Sequence, residues 1–194
     1  MRECIIKRKT NETDIKLKLA IDGDGTSNID TGVGFFNHML DLFAKHSQMS
    51  LELSCKGDVK VDAHHTVEDC GIVIGEALRQ AMGNKEGIRR YATKFVPMDE
   101  TLMMTNLDIS GRPYFAYNVE LKNSKTGDFD AELCEEFFRA LAMNAGLTLH
   151  MNLQYGKNTH HILEAAFKAV GQCLREALSI DPQIKGVFST KGVL

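Results

Sequence analysis

At 194 residues and 43% hydrophobic content, the chain is long enough to bury a proper core, as one domain or as two small fused halves. A formal charge of −3 and a pI near 6.2 exclude the basic footprint of a nucleic-acid partner. No apolar run approaches the roughly 20 residues needed to cross a bilayer, the N-terminus MRECIIKRKT has no signal-peptide core, and the five cysteines include no CxxC pair, so a reduced, cytoplasmic protein without a membrane partner is expected.

Cys4 to Lys9 and Ile15 to Ile21 alternate with period two on either side of the polar turn Thr10-Asn-Glu-Thr13, which predicts a hairpin. Asp22-Gly-Asp-Gly25 opens like a calcium loop, but the acidic residue needed at position 33 is Val33, and the segment reads as a turn. Thr31-Gly-Val-Gly34 lacks the full GxGxxG of a dinucleotide loop and reads as backbone passing close to a site at His38. From Phe36, the residues Met39, Leu40, Phe43 and Ala44 follow helical spacing; Leu51, Leu53 and Cys55 alternate; Val59 and Val61 follow a turn at Gly57. A helix then opens at His64, with Val67, Cys70, Ile74, Ala77, Leu78 and Ala81 on one stripe and Gly83 at its C-terminal cap.

The connection between halves is placed near residues 83–97. Beyond it, Thr101 to Ser110 and Tyr114 to Leu121 read as a strand pair around Gly111-Arg112-Pro113. Ala131 to Ala145 reads as a helix stopping at Gly146, and Leu147, Leu149, Met151 and Leu153 alternate. A last helix turns Phe167, Val170, Leu174, Ala177 and Leu178 inward and ends before Asp181-Pro182. The reading is an α+β fold of internally duplicated β-β-α-β-α halves, residues 1–92 and 93–194. Together they make one compact domain, with helices packed between two small mixed sheets.

Four of the seven histidines fall in two copies of His-His-x-x-Glu: His64, His65, Glu68 and His160, His161, Glu164. A single copy is more often packed or solvated than ligating. Two copies at the head of two helices are hard to obtain from core packing alone. Successive helical residues are rotated by about 100°, so the paired histidines point apart and each suits a different cation. Imidazole with carboxylate fits borderline or hard divalent metals.

The segments Thr31-Gly-Val-Gly-Phe-Phe-Asn-His-Met-Leu40, Val61-Asp-Ala-His-His-Thr-Val-Glu-Asp69, Asp108-Ile-Ser-Gly-Arg-Pro-Tyr114 and Gly156-Lys-Asn-Thr-His-His-Ile-Leu-Glu-Ala-Ala-Phe-Lys168 closely resemble the imidazoleglycerol-phosphate dehydratase family of histidine biosynthesis. The resemblance implies a lyase that removes water from D-erythro-imidazoleglycerol phosphate to give imidazole acetol phosphate, with two Mn²⁺ per active site binding the substrate imidazole or imidazolate. The proton to be lost is not acidic, so the elimination needs a charge sink, and a metal on the ring supplies one.

Carried over position by position, the resemblance implies His38, His65, His160 and Glu164 around one ion and His64, Glu68 and His161 around the other. Where many relatives have a further histidine, this chain has Glu136, either a carboxylate ligand or a solvated helix residue; His150 is the nearby substitute. Glu12 matches a substrate-contacting glutamate suited to proton transfer, and His46 and Asp99 lie in similarly matched segments. Arg90, Arg112, Lys168, Ser189, Thr190 and Lys191 match phosphate-binding positions. The implied partners are a small phosphate substrate and identical subunits, in a 24-subunit shell with active sites between subunits; the sequence separation of Glu12 from the metal helices is compatible with its coming from a neighbour. Two other functions compete: a dinuclear metal phosphoester hydrolase, which favours Asp-rich bridging sets, and a non-catalytic divalent-metal-binding protein, which leaves Arg90, Arg112 and Lys168 without a role.

Overall fold

Each half begins with a hairpin whose alternating residues put one face on the core. In the computed structural model, which describes residues 2–194, β1 (Glu3–Lys9) pairs antiparallel with β2 (Thr13–Ala20). The expected turn joins them. There Thr10 Oγ1 accepts from the backbone N–H groups of Glu12 and Thr13. The chain continues through β3 (Ser27–Asp30), α1 (Gly34–Ser47), β4 (Ser50–Gly57) and α2 (His64–Met82). The second half runs β5 (Tyr91–Met98), β6 (Thr101–Asp108), β7 (Tyr114–Asn118), a small hairpin of β8 (Lys125–Thr126) and β9 (Phe129–Asp130), α3 (Leu133–Ala145), β10 (Thr148–Tyr155) and α4 (Thr159–Ala177).

The duplication is explicit in the topology. The first sheet has the order β1-β2-β4-β3 and the second β5-β6-β10-β7. In each, the last strand of that sheet before a helix lies beside and parallel to the strand after it, β3 to β4 and β7 to β10, the connection a parallel pair requires. The α+β architecture of duplicated halves is as expected, and the helix stripes predicted from spacing are buried.

Besides the β8–β9 hairpin that the second half adds, each four-stranded sheet nevertheless has one strand more than the β-β-α-β-α reading. In the first half it is β3, a four-residue edge strand whose single apolar residue is Ile29, too short and polar to show a period. In the second it is β5, which falls inside the expected connection at 83–97. Lys94 interrupts its apolar alternation by reaching Glu176. Consequently Thr101–Asp108 pairs with β5, not with Tyr114–Asn118. The Gly111-Arg112-Pro113 segment does not close a hairpin; Gly111 N–H donates to Gly146 O, and the chain crosses to β10.

The halves are joined through their helices, α2 packing on α3 and α4 on α1. Glycines permit the close approach. A Cβ at Gly75 in α2 would stand 2.7 Å from Leu141 O, and one at Gly171 in α4 would stand 3.0 Å from Phe43 O. These glycines occupy the same position relative to their HHxxE motifs. No helix among the described residues is long and apolar enough to cross a membrane.

Candidate metal centre and its surroundings

Both HHxxE motifs begin at a first helical turn, and in both a side chain two residues ahead fixes the start. Asp62 Oδ1 accepts from His64 N–H at 2.8 Å, and Asn158 Oδ1 accepts from His160 N–H at 3.0 Å. In the second copy the ligand types converge. His160 Nε2 lies 3.0 Å and His38 Nε2 3.1 Å from Glu164 Oε1, and the three donors lie within 4.8 Å of one another. Asn37 positions the helix carrying His38, its Oδ1 accepting from Thr31 N–H and Oγ1. Burial of Glu164 opposes its charge, but Lys168 at 2.6 Å, His38 and His160 outweigh it and hold the carboxyl at about 2. That oxygen is therefore ionised and ready to ligate.

The first copy is open. His64 Nε2 and Glu68 Oε2 are 3.7 Å apart with side chains 43% and 42% exposed. His65 turns away, its Nδ1 3.0 Å from Asp58 Oδ2 and its Nε2 3.7 Å from Glu12 Oε1. The Asp58 hydrogen bond raises the imidazole pKa, Glu12 adding to it. Glu12, distant in sequence from the HHxxE helices, is thus next to one of their histidines in the fold. Likewise His161 leaves the triad, its Nδ1 2.7 Å from Glu100 Oε2 and its Nε2 3.8 Å from Asp99 Oδ2. Within one chain His65 does not join His38, His160 and Glu164, and His161 does not join His64 and Glu68 among the described residues.

A model of the imidazoleglycerol-phosphate dehydratase family matches residues 31–174, the span that contains every one of these histidines. The chain belongs to the imidazoleglycerol-phosphate dehydratase family. It is 58% identical to the imidazoleglycerol-phosphate dehydratase of Acetivibrio thermocellus over 193 residues, which cover 100% of this chain and 99% of that one. It is equally 58% identical to that of Clostridium kluyveri across the full length of both. Among solved structures, the Staphylococcus aureus imidazoleglycerol-phosphate dehydratase superposes with a TM-score of 0.85 at 45% identity, covering 92% of this chain and 99% of that chain. The Pyrococcus furiosus enzyme in complex with (S)-C348 gives 0.83 at 36% identity, covering 97% and 100%. The chain is accordingly a hydro-lyase of histidine biosynthesis.

In this dehydratase-family chain the expected phosphate positions separate into two places. Arg90, Arg112, Ser189, Thr190 and Lys191 line one cleft of about 560 Å³; Lys168 lies instead at the triad, between Glu164 and Met98 Sδ. Arg90 is committed to the fold. It pairs with Asp108 at 2.7 Å and donates to Phe188 O at 2.8 Å, tying down the C-terminal segment. His46 also belongs with the triad, its pKa lowered by burial and then by Lys168. Glu136 lies on α3 with Arg139 Nε 3.8 Å away, at the same distance from its helix C-cap, Gly146, as His38 is from Gln48 in α1. His150 sits on β10 against the Tyr114 ring.

Asp58 and Glu100, the two carboxylates that hold the second histidine of each motif, are absent from the sequence reading. A signal for Glu100 was available: Glu12-Thr13 recurs as Glu100-Thr101 at the end of each half's first turn.

Proposed function

We propose that this chain removes water from D-erythro-imidazoleglycerol phosphate, giving imidazole acetol phosphate, at a site with two Mn²⁺ ions completed between identical subunits of a 24-subunit shell. The observation that carries the reading is the convergence of His38, His160 and Glu164. Two imidazoles and an ionised carboxylate suit Mn²⁺. His65 of a neighbouring subunit would complete that set; His64 and Glu68 would hold the second ion with His161 from a neighbour, Glu136 standing at the remaining position. When bound, the ions act as Lewis acids toward the substrate imidazole, stabilising the negative charge that develops there.

The chain's own residues supply binding and proton transfer. Glu12, its side chain 52% exposed and facing His65, takes the proton from the second carbon out from the ring as the hydroxyl leaves the ring-adjacent carbon, and the enol so formed ketonises to the acetol. Asp99, turned toward His161, and His46, kept neutral by burial and by Lys168, assist in returning protons. Arg112, Ser189, Thr190 and Lys191 grip the phosphate, and Arg90 holds the segment that presents them. We place the enzyme in the cytoplasm, where its free cysteines stay reduced.

The test is a dehydration assay on chelated protein with and without added Mn²⁺. Activity lost on chelation and restored by Mn²⁺ is expected. Full activity without metal would overturn the reading, and release of inorganic phosphate would mark a hydrolase instead.

A further inference from the structure

The duplicated turns place two glutamates at one position in two different roles. Glu12 and Glu100 each precede a threonine at the start of the second strand of their sheet. Among the described residues, the Glu12 carboxylate makes no hydrogen bond within the chain. The Glu100 carboxylate is fully engaged. Its Oε1 accepts from Asn158 N–H at 2.8 Å and Lys157 N–H at 3.1 Å, just ahead of α4, and its Oε2 meets His161 Nδ1 at 2.7 Å. An ionised carboxylate only accepts, so the proton in that contact belongs to Nδ1, and the lone pair of a neutral ring is left on Nε2.

We propose that Glu100 is a positioning residue for the dehydration site: it fixes His161 as the Nδ1–H tautomer and leaves the Nε2 lone pair, 3.4 Å from Asn158 Nδ2, as the one offered to a divalent cation. The proposal rests on the reading of His161 as a metal ligand. The first half arrives at the same arrangement by another route. His65, the second histidine of its motif, has Nδ1 on Asp58 and Nε2 3.7 Å from Glu12 Oε1 with no hydrogen bond between them, but Asp58 comes from the loop between β4 and α2, not from the β1–β2 turn. Non-equivalent carboxylates serving the same ring atom in both halves point to a requirement at that nitrogen, the usual second partner of a ligating histidine.

Glu100→Gln separates this role from simple anchoring of α4. The amide oxygen still accepts from Asn158 and Lys157, but the amide NH₂ then donates to Nδ1 and drives the ring proton to Nε2. The opposite flip would set NH₂ against two backbone donors. Two readouts apply to the full-length chain: Mn²⁺ affinity, followed by the electron paramagnetic resonance of free Mn²⁺, and solid-state NMR of ¹⁵N-histidine in metal-free protein at about pH 9, above the usual imidazole range. The His161 signals are assigned by comparison with His161→Gln.

The expected result for Glu100→Gln is one of two Mn²⁺ bound about 10–100-fold more weakly, a melting temperature near wild type, and His161 converted from Nδ1–H to Nε2–H. Wild-type affinity with an unchanged tautomer in Glu100→Gln would overturn the proposal. So would an Nε2–H His161 in the wild type, whether or not the variant folds. If His161→Gln binds both ions as tightly as wild type, the ligand reading fails, while the wild-type and Glu100→Gln tautomers still decide whether Glu100 sets the ring.

Discussion

The two HHxxE motifs are the same in sequence and differ in what surrounds them. Around the second, α1 crosses α4 and delivers His38 to a Glu164 whose side chain is only 10% exposed and already paired with Lys168. Around the first, α3 crosses α2 in the equivalent way but carries Glu136 at the matching position, 3.8 Å from Arg139 Nε, and Glu68 stays open to solvent. Three candidate ligands, His38, His160 and Glu164, are therefore already gathered within a single chain, while His64 and Glu68 have no third such group beside them among the described residues. A shared motif fixes the residue types; the helix packed against it decides which of them converge within one chain.

Removing the preassembled side should have the largest effect. His160→Ala is expected to lose one ion and to lower kcat by upward of roughly 10⁴-fold, the several kcal/mol a Lewis acid supplies, with metal content read by elemental analysis. Combined with His65→Ala it should cost little more, because the first change has already broken a shared site; additive losses would mean that the two histidines serve separate ions.

Glu12→Gln tests the open side. It should lower kcat by roughly 10²–10⁴-fold with metal content and stability intact; a loss confined to KM would assign Glu12 to substrate binding. If ligands from different chains meet at each ion, as proposed, chelation should loosen the contacts between subunits while leaving the halves folded. Size-exclusion chromatography before and after chelation, with Mn²⁺ added back, reads this, and an unchanged particle size would count against a site shared between subunits.

A smaller effect concerns acid. Glu164 has its carboxyl held at about 2, against 4.5 in an unstructured chain, so its ionised contacts stabilise the fold above about pH 4.5, and that contribution is lost as pH falls toward 2. In metal-free protein, the difference in urea midpoint between wild type and Glu164→Gln should be full at neutral pH and shrink over that window. The smallest effect is expected from Glu136→Ala, less than about tenfold on Mn²⁺ affinity, because its exposed pairing with Arg139 leaves the carboxylate poorly aimed.

Elements with a strong period were legible before the fold was known. The helix stripes from Phe36 and Val67 and the hairpin around Glu12 are examples. Strands whose period is broken by function or brevity were not: Ser27–Asp30 has one apolar residue, and β5 carries Lys94 facing Glu176. The two HHxxE motifs were equally legible, because a repeated pattern of six polar side chains is hard to mistake. Their partners were not, since Asp58 and Glu100 are single acidic residues in turns, where charge is the rule, and only the folded distances to His65 and His161 set them apart.

The crossing of α2 by α3 and of α4 by α1, with glycine at Gly75 and Gly171 letting backbones meet, has a consequence for how the protein is made. The first half leaves the ribosome before either of its covering helices exists, so the buried faces of α1 and α2 must wait for residues 133–177. Contacts of such long sequence separation form slowly and leave apolar surface exposed meanwhile. A nascent chain stalled near residue 92 should therefore recruit holding chaperones, and its release should coincide with the emergence of α4.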